Sequence, residues 1–153
     1  MPTDLDNTND TTCKTFTGIA QFPISYCNDF ETNGNDFYDA TDVNQKNKWE
    51  LGTPNYGVTN STHSGSNAWD VMLNVIYFNS DTGKLVSPFF DFTAASNARL
   101  EFWQNRNTET NYDGVRLEYA INGGPWQILG TVNDPNATNW YTDPSLIGSG
   151  GLP

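Results

Sequence analysis

Apolar and polar residues alternate along much of this chain, and the alternation predicts short β-strands. Residues 98–104 (ARLEFWQ) and 114–121 (GVRLEYAI) both place apolar side chains on one face of an extended segment and charged ones on the other. Residues 126–132 (WQILGTV) follow after Asn122-Gly123-Gly124. Asn and Gly accept positive φ at low cost, so this tripeptide predicts a hairpin turn between two antiparallel strands.

Further strands are predicted upstream, in residues 49–53, 67–74 and 84–92, and residues 18–30, around Pro23, predict an edge strand or an extended approach. No stretch shows a sustained helical period with capping residues. Short strands joined by Gly, Asn and Asp turns are typical of a sandwich, so the predicted fold is all-β, an antiparallel jelly-roll-type β-sandwich.

The predicted organisation is a flexible leader over residues 1–12, a β-sandwich domain over 13–142, and a flexible tail or truncated end over 143–153. The chain ends in a Gly-rich stretch, residues 148–151, with no strand after it. A sandwich usually closes on a strand that seals its edge, so we expect this one to lack its C-terminal strands.

Composition adds what the core must be made of. Aromatic residues make up 14% of the 153 residues and hydrophobic residues only 36%. A few large rings must therefore fill much of the core, and Trp69 and Trp126 are predicted to lie there. Disordered chains are poor in aromatic residues, so the chain is predicted to fold.

The formal net charge is −11, from 7 Lys and Arg against 18 Asp and Glu. Such a surface repels phosphate backbones and anionic lipids, so we expect no nucleic-acid partner. No apolar stretch is long enough to insert in a membrane. The excess carboxylates serve solubility or bind a hard cation such as Ca²⁺, and composition does not decide between the two.

The chain has two cysteines, Cys13 and Cys27, and one histidine, His63. A metal site with two thiolates would need further Cys or His ligands, so a Cys13–Cys27 disulfide is the preferred interpretation. A disulfide implies an oxidising compartment, and we therefore expect a secreted or cell-surface protein.

Six short motifs occur in an order that resembles one family. They are Phe30-Glu31, WELGTP at 49–54, HSGSNAW at 63–69, LVSP at 85–88, YDGV at 112–115 and GGPW at 123–126. Together, over residues 27–140, they resemble the MAM-like jelly-roll modules of bacterial secreted and cell-surface proteins. The chain is more distantly similar to the MAM domains of animal adhesion receptors.

The resemblance implies a concanavalin-like or galactose-binding-like β-sandwich that often carries structural Ca²⁺. The implied metal ligands in this sequence are Glu31, Ser64, Ser66, Asn67 and Asp70, with Asp29 and Asp36 as further candidates. The alternative is that Glu31 is a plain surface residue and Gly65 a plain turn. Members of the family end on an Arg-Phe-type strand and an Asp-rich strand that this sequence lacks. Either the chain is a fragment, or another chain supplies the missing strands by strand complementation.

Carbohydrate recognition and catalysis make different demands on the side chains. Sugar sites use exposed aromatic platforms, for which the candidates are Tyr56, Trp103, Trp140 and Tyr141. Glycoside hydrolysis needs two carboxyl groups across a cleft, but Glu101 and Glu118 alternate with Arg99 and Arg116, which favours cross-strand ion pairing. His63 is expected to form hydrogen bonds within its loop.

The sequence therefore predicts a non-catalytic adhesion or interaction module of a larger exported or cell-surface protein, stabilised by calcium. The alternative is a carbohydrate-binding module that anchors an enzyme to glycan. The expected partner is a protein or a glycan at the cell surface, and no enzymatic activity is expected.

Overall fold

The chain is all-β, with many short strands and almost no helix. The computed structural model describes residues 21–32, 36–144 and 146. The strands are β1 (Gln21–Pro23), β2 (Tyr38–Asp39), β3 (Trp49–Gly52), β4 (Ala68–Val71), β5 (Leu85–Val86), β6 (Phe89–Asp91), β7 (Glu118–Tyr119) and β8 (Gln127–Ile128), with a 3-10 helix at Gly57–Thr59. The predicted leader, residues 1–12, lies outside the described residues, as does most of the predicted tail.

Within the described residues the strands pair in four two-stranded sheets. The pairs β2–β5, β3–β4 and β7–β8 are antiparallel, whereas β1–β6 is parallel. The all-β class predicted from the sequence is thus confirmed. The jelly-roll sandwich, which needs larger sheets packed face to face, stays a prediction.

The chain divides into two compact units, Met1–Gln104 and Asn105–Pro153. The first contains β1 to β6 and the second contains the β7–β8 pair. The predicted sandwich domain of residues 13–142 includes parts of both units and stays a prediction.

The β3–β4 pair is the longest ladder of the first unit, with four residue pairs in register. Trp49 pairs with Val71 and Leu51 with Trp69, so large apolar side chains meet across the two strands. Such cross-strand pairs stabilise a sheet by roughly 0.2–1 kcal/mol each. The strands predicted at 49–53 and 67–74 are therefore present, with shorter bounds.

Four described residues of the first unit are buried: Asn47 (5% exposed), Val86 (7% exposed), Pro54 and Pro88. The buried Asn47 side chain bonds the backbone of Phe78 on both sides: its Nδ2 donates to the Phe78 carbonyl (2.9 Å) and its Oδ1 accepts from the Phe78 amide (2.6 Å). Both polar groups of this buried side chain are thus satisfied.

An aromatic cluster lies beside the parallel β1–β6 pair. The Tyr26 ring lies 4.9 Å from Phe22 and 5.3 Å from Phe90, centroid to centroid. Burial raises the pKa of the Tyr26 hydroxyl, which donates to Asp36 Oδ2 (3.1 Å) and accepts from Asn28 Nδ2 (2.6 Å). Edge-to-face and tilted ring pairs of this kind add stability beyond their buried area.

The second unit contains the predicted hairpin. Asn122 (φ 51°) and Gly123 (φ 74°) both lie in the left-handed region, and the Gly124 amide donates to the Ile121 carbonyl (2.9 Å). Strand β7 then pairs antiparallel with β8, with Tyr119 opposite Gln127. The turn prediction is confirmed, although both strands are shorter than the alternation of the sequence suggests.

Two predicted strands differ from the structure in more than their length. Residues 98–104 join no ladder, so the strand predicted there is wrong. The strand predicted at 84–92 is divided into β5 and β6 around Pro88, because proline has no amide hydrogen to donate to a ladder.

Within the part of the chain that the structure describes, no helix has the length and apolar character needed to cross a membrane.

Candidate functional site

The backbone ahead of Glu31 is fixed by two successive side-chain turns. Asn28 Oδ1 accepts from the Phe30 amide (2.7 Å), and Asp29 Oδ1 accepts from the Glu31 amide (3.1 Å). Phe30 also packs edge-to-face on Phe37, with the ring centroids 5.3 Å apart. These local contacts, which Asn and Asp favour, hold Glu31 in place at the protein surface.

Glu31 reaches a loop that is distant in the sequence. Its Oε1 accepts hydrogen bonds from the backbone amides of Ser66 (2.8 Å) and Asn67 (2.7 Å), and its Oε2 accepts from Asn67 Nδ2 (3.3 Å). A carboxylate that accepts several N–H groups makes charge-assisted hydrogen bonds, which are stronger than neutral ones. The juxtaposition of Glu31 with this loop is the one that the family resemblance implies.

We call residues 62–67 the anchored loop, because it is held from both sides. Thr62 Oγ1 donates to the Gly65 carbonyl (3.0 Å), while Glu31 holds the amides that follow Gly65. Gly65 lies at φ 63°, and a Cβ placed there would be 2.3 Å from Glu31 Oε1. A residue with a Cβ at this position would be strained and would displace the Glu31 side chain.

The predicted calcium ligands make different contacts in the structure. Glu31 meets Ser66 and Asn67, but the atoms that face its Oε1 are amide hydrogens, which do not ligate metals. Asp70 lies in β4, where its carboxylate accepts from the Val71 amide (2.8 Å). Among the described residues no group of three His, Cys, Asp or Glu side chains gathers to hold a metal.

The remaining candidate ligands are used locally or make no bond to Glu31. Asp29 fixes the Glu31 amide and Asp36 accepts from Tyr26, as described above. Ser64 is an exposed residue of the anchored loop. Calcium binding therefore stays a prediction. The carboxylate it relies on, that of Glu31, already accepts hydrogen bonds from N–H groups.

Asp70 occupies an unfavourable electrostatic position. It stands directly opposite Glu50 in the β3–β4 register, and like charges in that arrangement repel. Burial raises the pKa of the Asp70 carboxyl, and the charge of Glu50 raises it further. The hydrogen bond from Val71 opposes these effects without overcoming them.

The imidazole of His63 stacks on the indole of Trp103 within the first unit. The ring centroids are 3.7 Å apart and the planes differ by 10°. Trp103 is nevertheless 78% exposed, so the face opposite the imidazole is open to solvent. The sequence predicts a hydrogen-bonding role in the loop for His63. Its stack on Trp103 is a further contact that no local sequence pattern predicts.

The other aromatic candidates differ in exposure. Tyr56 is an exposed side chain that precedes the 3-10 helix. In the second unit, Tyr141 is half-buried, and its hydroxyl accepts from the Leu117 amide (2.8 Å) and donates to the Leu129 carbonyl (3.1 Å). Trp140 is also half-buried and packs on Tyr141 and closely against Gly130. Tyr141 thus ties the backbone at the base of the hairpin.

Two further predictions concern tryptophan and cysteine. Trp69 is half-buried in β4, whereas Trp126 is 49% exposed beside the hairpin turn, so its prediction as a core residue is wrong. Cys27 is exposed and forms no disulfide with any described residue. Cys13 lies outside the described residues, so the predicted bridge stays a prediction.

The two candidate carboxylates for catalysis are both ion-paired. Arg99 Nη2 lies 2.5 Å from Glu101 Oε1, and Arg116 Nη2 lies 2.7 Å from Glu118 Oε1. Each of these ion pairs joins residues two apart on one segment, so the predicted cross-strand pairing is not what the structure shows. Successive odd or even residues of an extended backbone point the same way, which brings these partners together.

Comparison of the chain with protein-family models, with curated proteins and with solved structures gives no match.

Proposed function

We propose that this chain is a non-catalytic adhesion or interaction module of a larger exported or cell-surface protein, built as a jelly-roll-type β-sandwich. The observation that carries the proposal is the large number of exposed apolar side chains. Ile121 is 65% exposed and Trp126 is 49% exposed at the tip of the β7–β8 hairpin. Clustered exposed apolar residues mark interaction surfaces in soluble proteins.

The hairpin also offers open strand edges. Within the described residues β7 and β8 pair only with one another, so each has an outer edge whose backbone groups are available for pairing. A partner strand can add to such an edge through main-chain hydrogen bonds while its side chains meet the apolar ones beside it. This supports complementation by a strand from another chain.

The partner is a protein with a basic surface. The chain carries a formal net charge of −11, and oppositely charged partners associate with it faster and more specifically. The same charge disfavours acidic proteins and self-association. Binding is expected to combine apolar contact at the hairpin tip, residues 121–126, with electrostatic steering by the rest of the surface.

Biolayer interferometry against a panel of purified basic extracellular proteins tests the proposal. Ile121→Asp introduces a charge at the hairpin tip, while Val43→Asp introduces the same charge at a side chain that is 88% exposed in the first unit. Burying an isoleucine is worth about 2 kcal/mol, which corresponds to a roughly 30-fold rise in Kd for Ile121→Asp. The Val43→Asp control should bind as the wild type does, and equal loss in both variants would contradict the proposal.

Calcium stabilisation forms a separate part of the proposal and is decided by thermal unfolding. A ligand at a hundredfold its Kd adds about 2.7 kcal/mol, so a bound ion would raise Tm between excess EDTA and millimolar Ca²⁺. The rise should vanish in Glu31→Ala. An unchanged Tm in the wild type would exclude calcium binding from the proposal. Glu31 would then serve only to bind the backbone amides.

A further inference from the structure

The stack of His63 on Trp103 leaves a large aromatic face exposed at a defined place. The imidazole lies nearly parallel to the indole, with the ring centroids 3.7 Å apart, and covers one of its faces. The remaining surface accounts for the 78% exposure of Trp103. A tryptophan held by contact on only one face is an open platform. Its ring is also restrained, since the imidazole limits the positions that the indole can adopt without losing the stack.

The imidazole is itself held in place by the anchored loop. His63 follows Thr62, whose hydroxyl donates to the Gly65 carbonyl, and the amides of Ser66 and Asn67 are bound by Glu31. Glu31 thus holds the loop that contains His63, and His63 in turn stacks on Trp103. A surface ordered before its ligand arrives loses less conformational entropy on binding.

We propose that the exposed face of Trp103 binds a neutral sugar ring, and that Glu31 is a positioning residue for this site. One face of a pyranose is made of C–H groups and fits an aromatic plane, while its rim carries hydroxyl groups. The loop beside the platform supplies short polar side chains, from Thr62 and Ser64 on either side of His63, that can meet such a rim. This function goes beyond the protein-binding function proposed above and does not depend on it.

The charge of the chain selects among ligands with a flat apolar face. A net charge of −11 disfavours anionic ligands such as nucleotides or sulfated glycans. Cationic ligands are bound most tightly by cages of several aromatic rings, whereas here the second ring lies flat against the first. A neutral glycan is therefore the ligand class that fits both the charge and the single open face.

Isothermal titration of the intact chain with cellohexaose, mannohexaose and galactohexaose tests the site. We expect saturable binding of at least one oligosaccharide with Kd at or below about 1 mM, the range of weak sites. Trp103→Ala should raise that Kd by about tenfold or more. Trp126→Ala removes an exposed indole from the second unit and should leave the Kd unchanged.

The positioning role of Glu31 has its own readout. Glu31→Ala frees the anchored loop and should weaken binding several-fold, whereas Glu31→Gln keeps a carbonyl oxygen for the two amides and should restore most of it. Far-UV circular dichroism of each variant confirms that the strands are retained. Equal binding by wild type and Glu31→Ala would overturn the positioning role.

Three results would overturn the sugar site itself. One is the absence of saturable binding of all three oligosaccharides up to about 10 mM. Another is binding that survives Trp103→Ala unchanged. The third is tighter binding of choline than of any oligosaccharide, lost in Trp103→Ala, which would make the platform a cation site. None of these results alters the protein binding expected at Ile121, which lies in the other unit.

Discussion

Replacing Gly65 by alanine should destabilise the first unit through two independent effects. The residue lies at φ 63°, where side chains with a Cβ are disfavoured. The added Cβ would also stand 2.3 Å from Glu31 Oε1 and 2.6 Å from its Cδ, so the carboxylate must leave the amides of Ser66 and Asn67.

The size of the effect follows from those two contributions. Forcing a non-glycine residue into the left-handed region costs about 1–2 kcal/mol. Losing two hydrogen bonds to the charged carboxylate costs about 1 kcal/mol more for each bond, less than for a buried charged group because solvent screens the exposed carboxylate. The sum is about 3–4 kcal/mol, which lowers the Tm of a unit of this size by roughly 12–30 °C.

Urea unfolding followed by far-UV circular dichroism measures this loss, and Gly57→Ala is the matched control. Gly57 has nearly the same backbone angle, φ 61°, but nothing lies within 4 Å of the position of its Cβ. We expect Gly57→Ala to show the backbone contribution alone. In a Glu31→Ala background the clash is relieved, so Gly65→Ala should then cost no more than Gly57→Ala.

The reasoning would be refuted by equal losses for Gly65→Ala and Gly57→Ala in the wild-type background. The same conclusion would follow if removing the Glu31 side chain left the cost of Gly65→Ala unchanged. Either outcome would mean that the carboxylate does not hold the loop in solution.

The other predictions concern the two units separately. Asn47→Ala leaves the amide and carbonyl of Phe78 without partners and should lower the free energy of unfolding by about 2–4 kcal/mol, measured in urea. Because burial raises the pKa of Asp70 in the folded state, its ionisation destabilises the fold as pH rises through that pKa. Asp70→Asn should therefore raise Tm at pH 7 and lose this advantage below about pH 4, and an equal gain at both would contradict the linkage. Gly130→Ala, at φ 78° with its Cβ 2.5 Å from Trp140 Nε1, should change the near-UV circular dichroism of that indole, and an unaltered spectrum would contradict the close approach.

Local sequence signals predicted the places where the backbone is extended but not which strands pair. The turn at Asn122-Gly123 is local chemistry, because both residues tolerate positive φ, and it was predicted correctly. Residues 98–104 alternate as well as any strand, but alternation records only an extended backbone. Ladder formation depends on a partner elsewhere in the chain, and that information is absent from a single segment.

The candidate site shows the same division. The approach of Glu31 to the loop around Gly65 was implied by a resemblance in the order of motifs, not by any local pattern. The stack of His63 on Trp103 joins residues far apart in the sequence, and neither position carries a signal that predicts it. The exposure of Trp126 was missed because an aromatic residue in an alternating segment is as compatible with an interface as with a core.

The most direct test of the proposed interaction function is the association rate of wild type and Ile121→Asp with a panel protein at about 0.05 M and about 0.5 M salt. The proposal predicts that higher salt slows the association of wild type and of Ile121→Asp alike, because screening removes the steering by a net charge of −11. It also predicts that Ile121→Asp dissociates faster at either salt concentration, since the apolar contact at the hairpin tip is lost. The proposal that this chain is a protein-binding module would be contradicted if the association rate were the same at both salt concentrations and the dissociation rate were the same for wild type and Ile121→Asp.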